Sequence, residues 1–177
     1  MTTPSADPVY LYTDDVIGIL PERDLNNGQP SLHAALIAGA APQAGDHVVH
    51  IGAGVGYYTA ILAELVGPSG AVTAIELDPG LAARAATNFS RSPNVRVAQG
   101  DGASMPLDPV DIIYVNAGAT RPAPSWLDGL NEGGRLILPL TPNEGFRRNE
   151  PGNIHRRGAV FRIERRGFDF IARRISG

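Results

Sequence analysis

Residues 47–67 read HVVHIGAGVGYYTAILAELVG. Five residues, His47–Ile51, form a short apolar strand, and Val55–Val66 follows with helical apolar spacing, Ile61, Leu62 and Leu65 on one side. Between them Gly52, Gly54 and Gly56 alternate with Ala53 and Val55. A strand, a glycine-rich turn and a helix open a parallel α/β unit, and the glycines admit either a tight turn or a ligand pressed against the backbone.

The pattern continues on the C-terminal side. Gly67–Gly70 is a turn and Ala71–Glu76 a second strand. Asp78 caps an expected helix over Pro79–Phe89, with proline in the favoured first position. Strands are expected at Val95–Ala98 and Asp111–Val115, the latter continuously apolar as in a sheet covered on both faces. A short helix over Pro124–Leu130 ends near Gly133-Gly134, and Arg135–Leu140 is a fifth strand. Ala159–Arg165 and Phe168–Ile175 alternate apolar and charged residues around Arg166-Gly167, which is hairpin patterning. On the N-terminal side, Ser31 reads as the cap of a helix over LHAALIAGAA, and residues 1–30 read as irregular. Residues 141–156 are polar and rich in Pro and Gly, a loop. Strand and helix alternate with short links, so the expected fold is one α/β domain over 1–177, a mostly parallel sheet with helices on both faces.

Composition removes several function classes. The 177 residues suffice for one domain with a real core. With no cysteine there are no disulfides or thiolate metal sites, and His33, His47, His50 and His155 show no zinc-ligand spacing, so no metal is expected. No apolar run reaches the ~18 residues of a membrane helix. The N-terminus lacks a signal-peptide pattern, and a cytoplasmic protein with no membrane partner is expected. All fifteen bases are arginine, and nine of them against three acids fall in 147–177. These arginines sit in pairs between apolar residues with no aromatic stacking pattern, so they read as the wet face of strands and nucleic acid is not an expected partner.

Ligand chemistry is carried by strand ends. Glu76 ends the second strand twenty residues after Gly56, where a carboxylate accepts hydrogen bonds from ribose hydroxyls. The third strand runs into Gly100-Asp101-Gly102, where an aspartate suits an adenine amino group. The dinucleotide fingerprint is G-x-G-x-x-G; here the third glycine comes one residue early, with Tyr57 in the place that motif would use. There is no P-loop and no lysine to serve one. The spacing G-x-G-x-G fits S-adenosyl-L-methionine (SAM), which has no phosphates, and a dinucleotide-binding oxidoreductase remains the outside alternative.

Three stretches carry a resemblance: GQPSLHA (28–34), VRVAQGDG (95–102) and DIIYVNAGATRPAPSWLDGLNEGGRLILPL (111–140). They resemble class I SAM-dependent methyltransferases, and among them the protein-L-isoaspartate O-methyltransferase family, over roughly residues 28–140. The resemblance implies a Rossmann-like seven-stranded sheet whose last two strands are the C-terminal antiparallel hairpin. It implies SAM as cofactor, held by Gly52, Gly54, Gly56, Glu76, Asp101 and Gly102, with Ala53, Tyr57 and Leu77 beside them and His33 lining the pocket. The acceptor it implies is a peptide or protein carboxylate.

Two positions depart from the family pattern. The family's serine, thought to position the acceptor carboxylate, falls on Gly28, with Ser31 as the nearest hydroxyl; restoring Gly28→Ser is expected to raise transfer. The family's acid near the SAM ammonium falls on His50, so SAM binding is expected to be weaker and more pH-dependent. Asn116, beside the expected methyl position, is a candidate for placing the substrate. Two further readings stay open: a methyltransferase of the same ancestry acting on another small molecule or peptide, and a SAM-binding module with little catalysis.

Overall fold

The structure is a computed structural model and describes residues 9, 13–141 and 158–176. The element order is β1 (Gly18–Leu20), a 3₁₀ turn (Pro21–Arg23), β2 (Leu25–Asn26), α1 (Pro30–Ala40), β3 (His47–Ile51), α2 (Tyr57–Val66), β4 (Ala71–Glu76) and α3 (Pro79–Asn88). Then come β5 (Val95–Gln99), β6 (Val110–Val115), α4 (Pro124–Asp128), β7 (Leu130–Leu140), β8 (Ala159–Arg166) and β9 (Asp169–Ser176). The main sheet has seven strands in the order β5-β4-β3-β6-β7-β8-β9. β3 to β7 run parallel, and β8 and β9 are antiparallel to their neighbours. This is the mostly parallel α/β sheet and C-terminal hairpin that the residue pattern implies, with the seven strands that the family resemblance implies. The loop expected at 141–156 lies, from residue 142 on, outside the described residues.

Strand alternation sorts the core into two layers. Val48, Ile112, Tyr114 and Ile137 pack with Leu36 and Ile37 of α1 and Leu62 and Val66 of α2. Val49, Ile51, Ile113, Leu136 and Leu138 face the other way and pack with Trp126 of α4. On α2 the buried stripe is Tyr58, Leu62 and Val66, at i, i+4 and i+8. Ile61 and Leu65, grouped with Leu62 by spacing, instead face outward and are 37% and 46% exposed. α3 is capped as expected, the Asp78 carboxylate accepting from the Leu81 N–H at 2.9 Å.

Three boundaries differ from the sequence expectation. Part of 1–30 is ordered as a β1–β2 ribbon, closed by paired bonds between Ile17 and the buried Asn27. The α1 cap is Gln29 rather than Ser31. One first-turn N–H is satisfied from a distance: Asp14 accepts from the Ser31 N–H and also from its hydroxyl, both at 2.7 Å. Finally, Gly133-Gly134 lie inside β7. Val110 pairs with Leu130 and Ile112 with Arg135, so the intervening residues bulge out of the ladder, with Gly133 at φ +73°.

Candidate active site: a cleft at the carboxyl ends of four strands

β3, β4, β5 and β6 all end on one side of the sheet, where an open α/β sheet binds its ligands. A cavity of about 390 Å³ lies there. Its wall takes Gly52 and Gly54 after β3, Glu76, Leu77 and Asp78 after β4, Gly100–Ala103 after β5, and Asn116–Gly118 after β6. Ile19, Arg23, Leu25 and Asn26 of the N-terminal ribbon close the remaining side.

The glycine turn first makes room for the protein itself. Gly52 sits at φ +74°, and a Cβ there would stand 2.5 Å from the Asn116 carbonyl oxygen at the end of β6. The turn therefore crosses β6 at a distance that only glycine tolerates. Behind it, the edge of the Phe89 ring fills the space beside Gly56.

Glu76 is held rigidly at this turn. One carboxylate oxygen accepts from the Gly54 N–H at 2.7 Å and the other from the Asp78 N–H at 2.9 Å. The residue is 8% exposed and lines the cavity. Each oxygen retains capacity for a further hydrogen bond. Asp101 also lines the cavity, its carboxylate accepting from Ala103 N–H at 2.9 Å and the Ser104 hydroxyl at 3.2 Å. Asp78 is paired with Arg23, and the bond from Leu81 N–H leads the influences that hold its carboxyl below the usual range. Trp126 donates its indole N–H to the Gly102 carbonyl at 2.7 Å and fixes the turn after β5.

A small cleft of about 20 Å³ adjoins this cavity. Asn116, Gly52 and Gly54 line both, whereas Ala53, Tyr57, Tyr58 and Asn27 line only the cleft. Asn116 thus stands where the two meet.

His33 and His50, expected in the cofactor pocket, are not on either wall. β3 alternation turns His50 toward the α1–α2 layer, where it is fully buried. Its Nδ1 lies 2.8 Å from the Thr59 hydroxyl, its ring meets Tyr114 edge-on at 5.4 Å, and its Nε2 has no partner. Burial, with His33 nearby, pushes its pKa down to about 3. The imidazole is therefore neutral at physiological pH, and the pH-dependent binding expected from its titration near neutrality has no basis in this arrangement. His33 stacks on Tyr58 with centroids 4.0 Å apart, and its Nδ1 lies 2.6 Å from the Tyr114 hydroxyl. Burial lowers its pKa to about 4, and raises that of Tyr58 to about 12 and that of Tyr114 further.

Gly28 and Ser31 also lie off the cavity. Gly28 has φ +72°, and the space a side chain would need is occupied by the His33 ring, with Cδ2 2.8 Å from an added Cβ. A serine at 28 requires His33 to move, so Gly28→Ser alone does not restore a hydroxyl in the way its sequence position suggests. Ser31 is exposed and engaged with Asp14.

Among the residues that sequence reasoning missed, Ile19, Arg23, Leu25 and Asn26 belong to a segment that reads as irregular, and nothing in its pattern announces a cavity wall. Trp126 was missed too, and its signal was that it is the lone tryptophan, in an expected helix. Among the described residues no His or acid cluster suits a metal, and no helix is long and apolar enough to cross a membrane.

The same architecture is found in known proteins. The model of one protein family, Protein-L-isoaspartate(D-aspartate) O-methyltransferase (PCMT), matches residues 4–157. The chain belongs to this family. A protein-L-isoaspartate O-methyltransferase of Ignicoccus hospitalis is 38% identical over 121 residues, 66% of this chain and 57% of its own length. One from Thermotoga maritima is 30% identical over 154 residues, 84% of this chain and 48% of its own. The chain thus spans about half the length of the curated relatives it matches. A solved structure of a protein-L-isoaspartate O-methyltransferase superposes with TM-score 0.83 at 27% identity, over 99% of this chain and 54% of that one. A Plasmodium falciparum structure of the same description, in complex with S-adenosyl-L-homocysteine, shares the fold with TM-score 0.73 at 20% identity, over 93% of this chain and 78% of that one.

Proposed function

We propose that the chain binds SAM in the 390 Å³ cavity and transfers its methyl group to the carboxylate of an L-isoaspartyl residue in a protein or peptide. The observation that carries this reading is the pair of carboxylates on successive strand ends, Glu76 after β4 and Asp101 after β5, in one cavity of nucleoside size. Three acids line that cavity against one arginine, Arg23, which is already paired with Asp78. That lining disfavours the phosphates of a dinucleotide and suits a cationic ligand.

Glu76 would take the ribose hydroxyls, Asp101 and the Gly102 backbone the adenine, and Gly52 and Gly54 the amino-acid part. SAM supplies an electrophilic sulfonium methyl group. The chain's own residues bind, align and exclude water. A carboxylate acceptor is ionised at neutral pH and needs no general base, in keeping with a cavity without a nucleophile–histidine pair. Asn116, at the junction of cavity and cleft, is the residue best placed to orient the acceptor. The family membership supports the isoaspartyl acceptor.

Methyl incorporation from labelled SAM into an isoaspartyl peptide, against its aspartyl counterpart, tests the reading. Isoaspartyl-selective transfer supports it. Gly28, which offers no hydroxyl, favours the second reading, a SAM-binding module: S-adenosylhomocysteine binding with no transfer to any peptide would establish that instead.

A further inference from the structure

The arginine-rich C-terminal hairpin has no role in the site above, and its outer strand is unfinished. β9 is an edge strand with no neighbour beyond it among the described residues, and residues 169–175 are all exposed. Phe170, Ile171 and Ile175 are 39%, 46% and 38% exposed, and Phe168 at the turn is fully so. In β8 the charges are satisfied: Glu164 pairs with Arg162 and Arg166, and Arg165 donates to the Leu130 carbonyl at 2.6 Å. In β9 they are not. Asp169, Arg173 and Arg174 have no ion-pair partner among the described residues. A long edge with apolar side chains is a template for another strand.

The strand opens Asp169-Phe170-Ile171-Ala172-Arg173, and it complements itself when reversed. A two-fold axis perpendicular to the sheet keeps each face continuous, so residues of like parity stand opposite one another. With the axis at Ile171, the two isoleucines meet. Asp169 of each copy then faces Arg173 of the other on one face of the sheet. Phe170 faces Ala172 on the other, while Phe168 lies in the hairpin turn before β9. Asp169 and Arg173, two of the three unpaired charges, thus each meet an opposite charge. Parallel pairing would set arginine against arginine, so the same residues that guard the edge against indiscriminate addition admit one antiparallel partner.

We infer that β9 pairs with β9 of a second copy of this chain, antiparallel about Ile171, joining two seven-stranded sheets into one. The contact is small, so the dimer is weak and dissociates on dilution.

Sedimentation velocity on the whole chain, from micromolar to millimolar, should show a concentration-dependent dimer. Asp169→Arg and Arg173→Asp each set like charges opposite twice per dimer and should weaken association about tenfold or more. Mixing the two variants makes every pair complementary again and should yield heterodimers. Because the chain has no cysteine, Ile171→Cys in the otherwise native chain should form an intermolecular disulfide under mild oxidation, far faster than Thr87→Cys on α3. A chain that stays monomeric throughout overturns the inference. So does a dimer indifferent to both charge reversals, or an Ile171→Cys chain that crosslinks no faster than the α3 control.

Discussion

Two sets of polar side chains surround the glycine turn, and they do opposite things. In front, Glu76, Asp78 and Asp101 line an open cavity, each anchored by backbone N–H groups and each with acceptor capacity left. Behind, His33, His50 and Tyr114 are buried between sheet and helices, with Tyr58 stacked on His33 at the wall of the small cleft and Thr59 bonded to His50. The front set takes backbone N–H groups as its partners at the wall of an open cavity. The back set keeps its neutral form because burial opposes charge. Proximity to a ligand loop in sequence therefore says little about which set a residue joins; the direction of its Cβ across the sheet decides.

The strongest way to break the contrast is to destroy the wall between the two sets. Gly52→Val places a branched side chain against the Asn116 backbone at positive φ. It should cost about 3–5 kcal/mol in urea unfolding and abolish S-adenosylhomocysteine binding.

Acid should break the back set first. In the unfolded chain both imidazoles titrate near about 6.5. In the fold they titrate at about 4 and about 3. The unfolded state then binds the extra protons, so their contribution is complete above about pH 6.5 and is lost as pH falls, by up to about 1.4 kcal/mol per pH unit for each histidine. Stability followed by urea titration between pH 7 and pH 4 checks this. His50→Leu, which removes the unpartnered Nε2, should flatten that slope while leaving cofactor affinity at pH 7 unchanged.

For the front set the readout is affinity. Glu76→Ala should weaken S-adenosylhomocysteine binding tenfold or more by calorimetry, because a charge-assisted contact is worth about 1.5–3 kcal/mol. Gly28→Ser sharpens the boundary between the sets. It should destabilise by about 1–3 kcal/mol through its clash with His33, and pairing it with His33→Ala should relieve part of that loss. Arg23→Ala removes an ion pair whose arginine is 58% exposed, and should shift stability by less than about 1 kcal/mol.

Legibility followed the same divide. β4 at Ala71–Glu76, the Asp78 cap and the hairpin were readable because alternation, capping chemistry and turn residues are local. The outward-facing Ile61 and Leu65 were misassigned because periodicity does not say which of two adjacent stripes meets the sheet. The β1–β2 ribbon was missed because strands of three and two residues carry no period.

By itself the sequence determined an alternating α/β sheet, its glycine turn, and the acids Glu76 and Asp101 at successive strand ends, since short-range pattern dictates which residues end a strand. Only the tertiary structure decided that Ile19 and Arg23 close the cavity, that His33 and His50 retire into the core, and that Gly28 yields its space to an imidazole. Those outcomes depend on which segments, distant in the chain, are pressed together, and on whether burial there permits a charge.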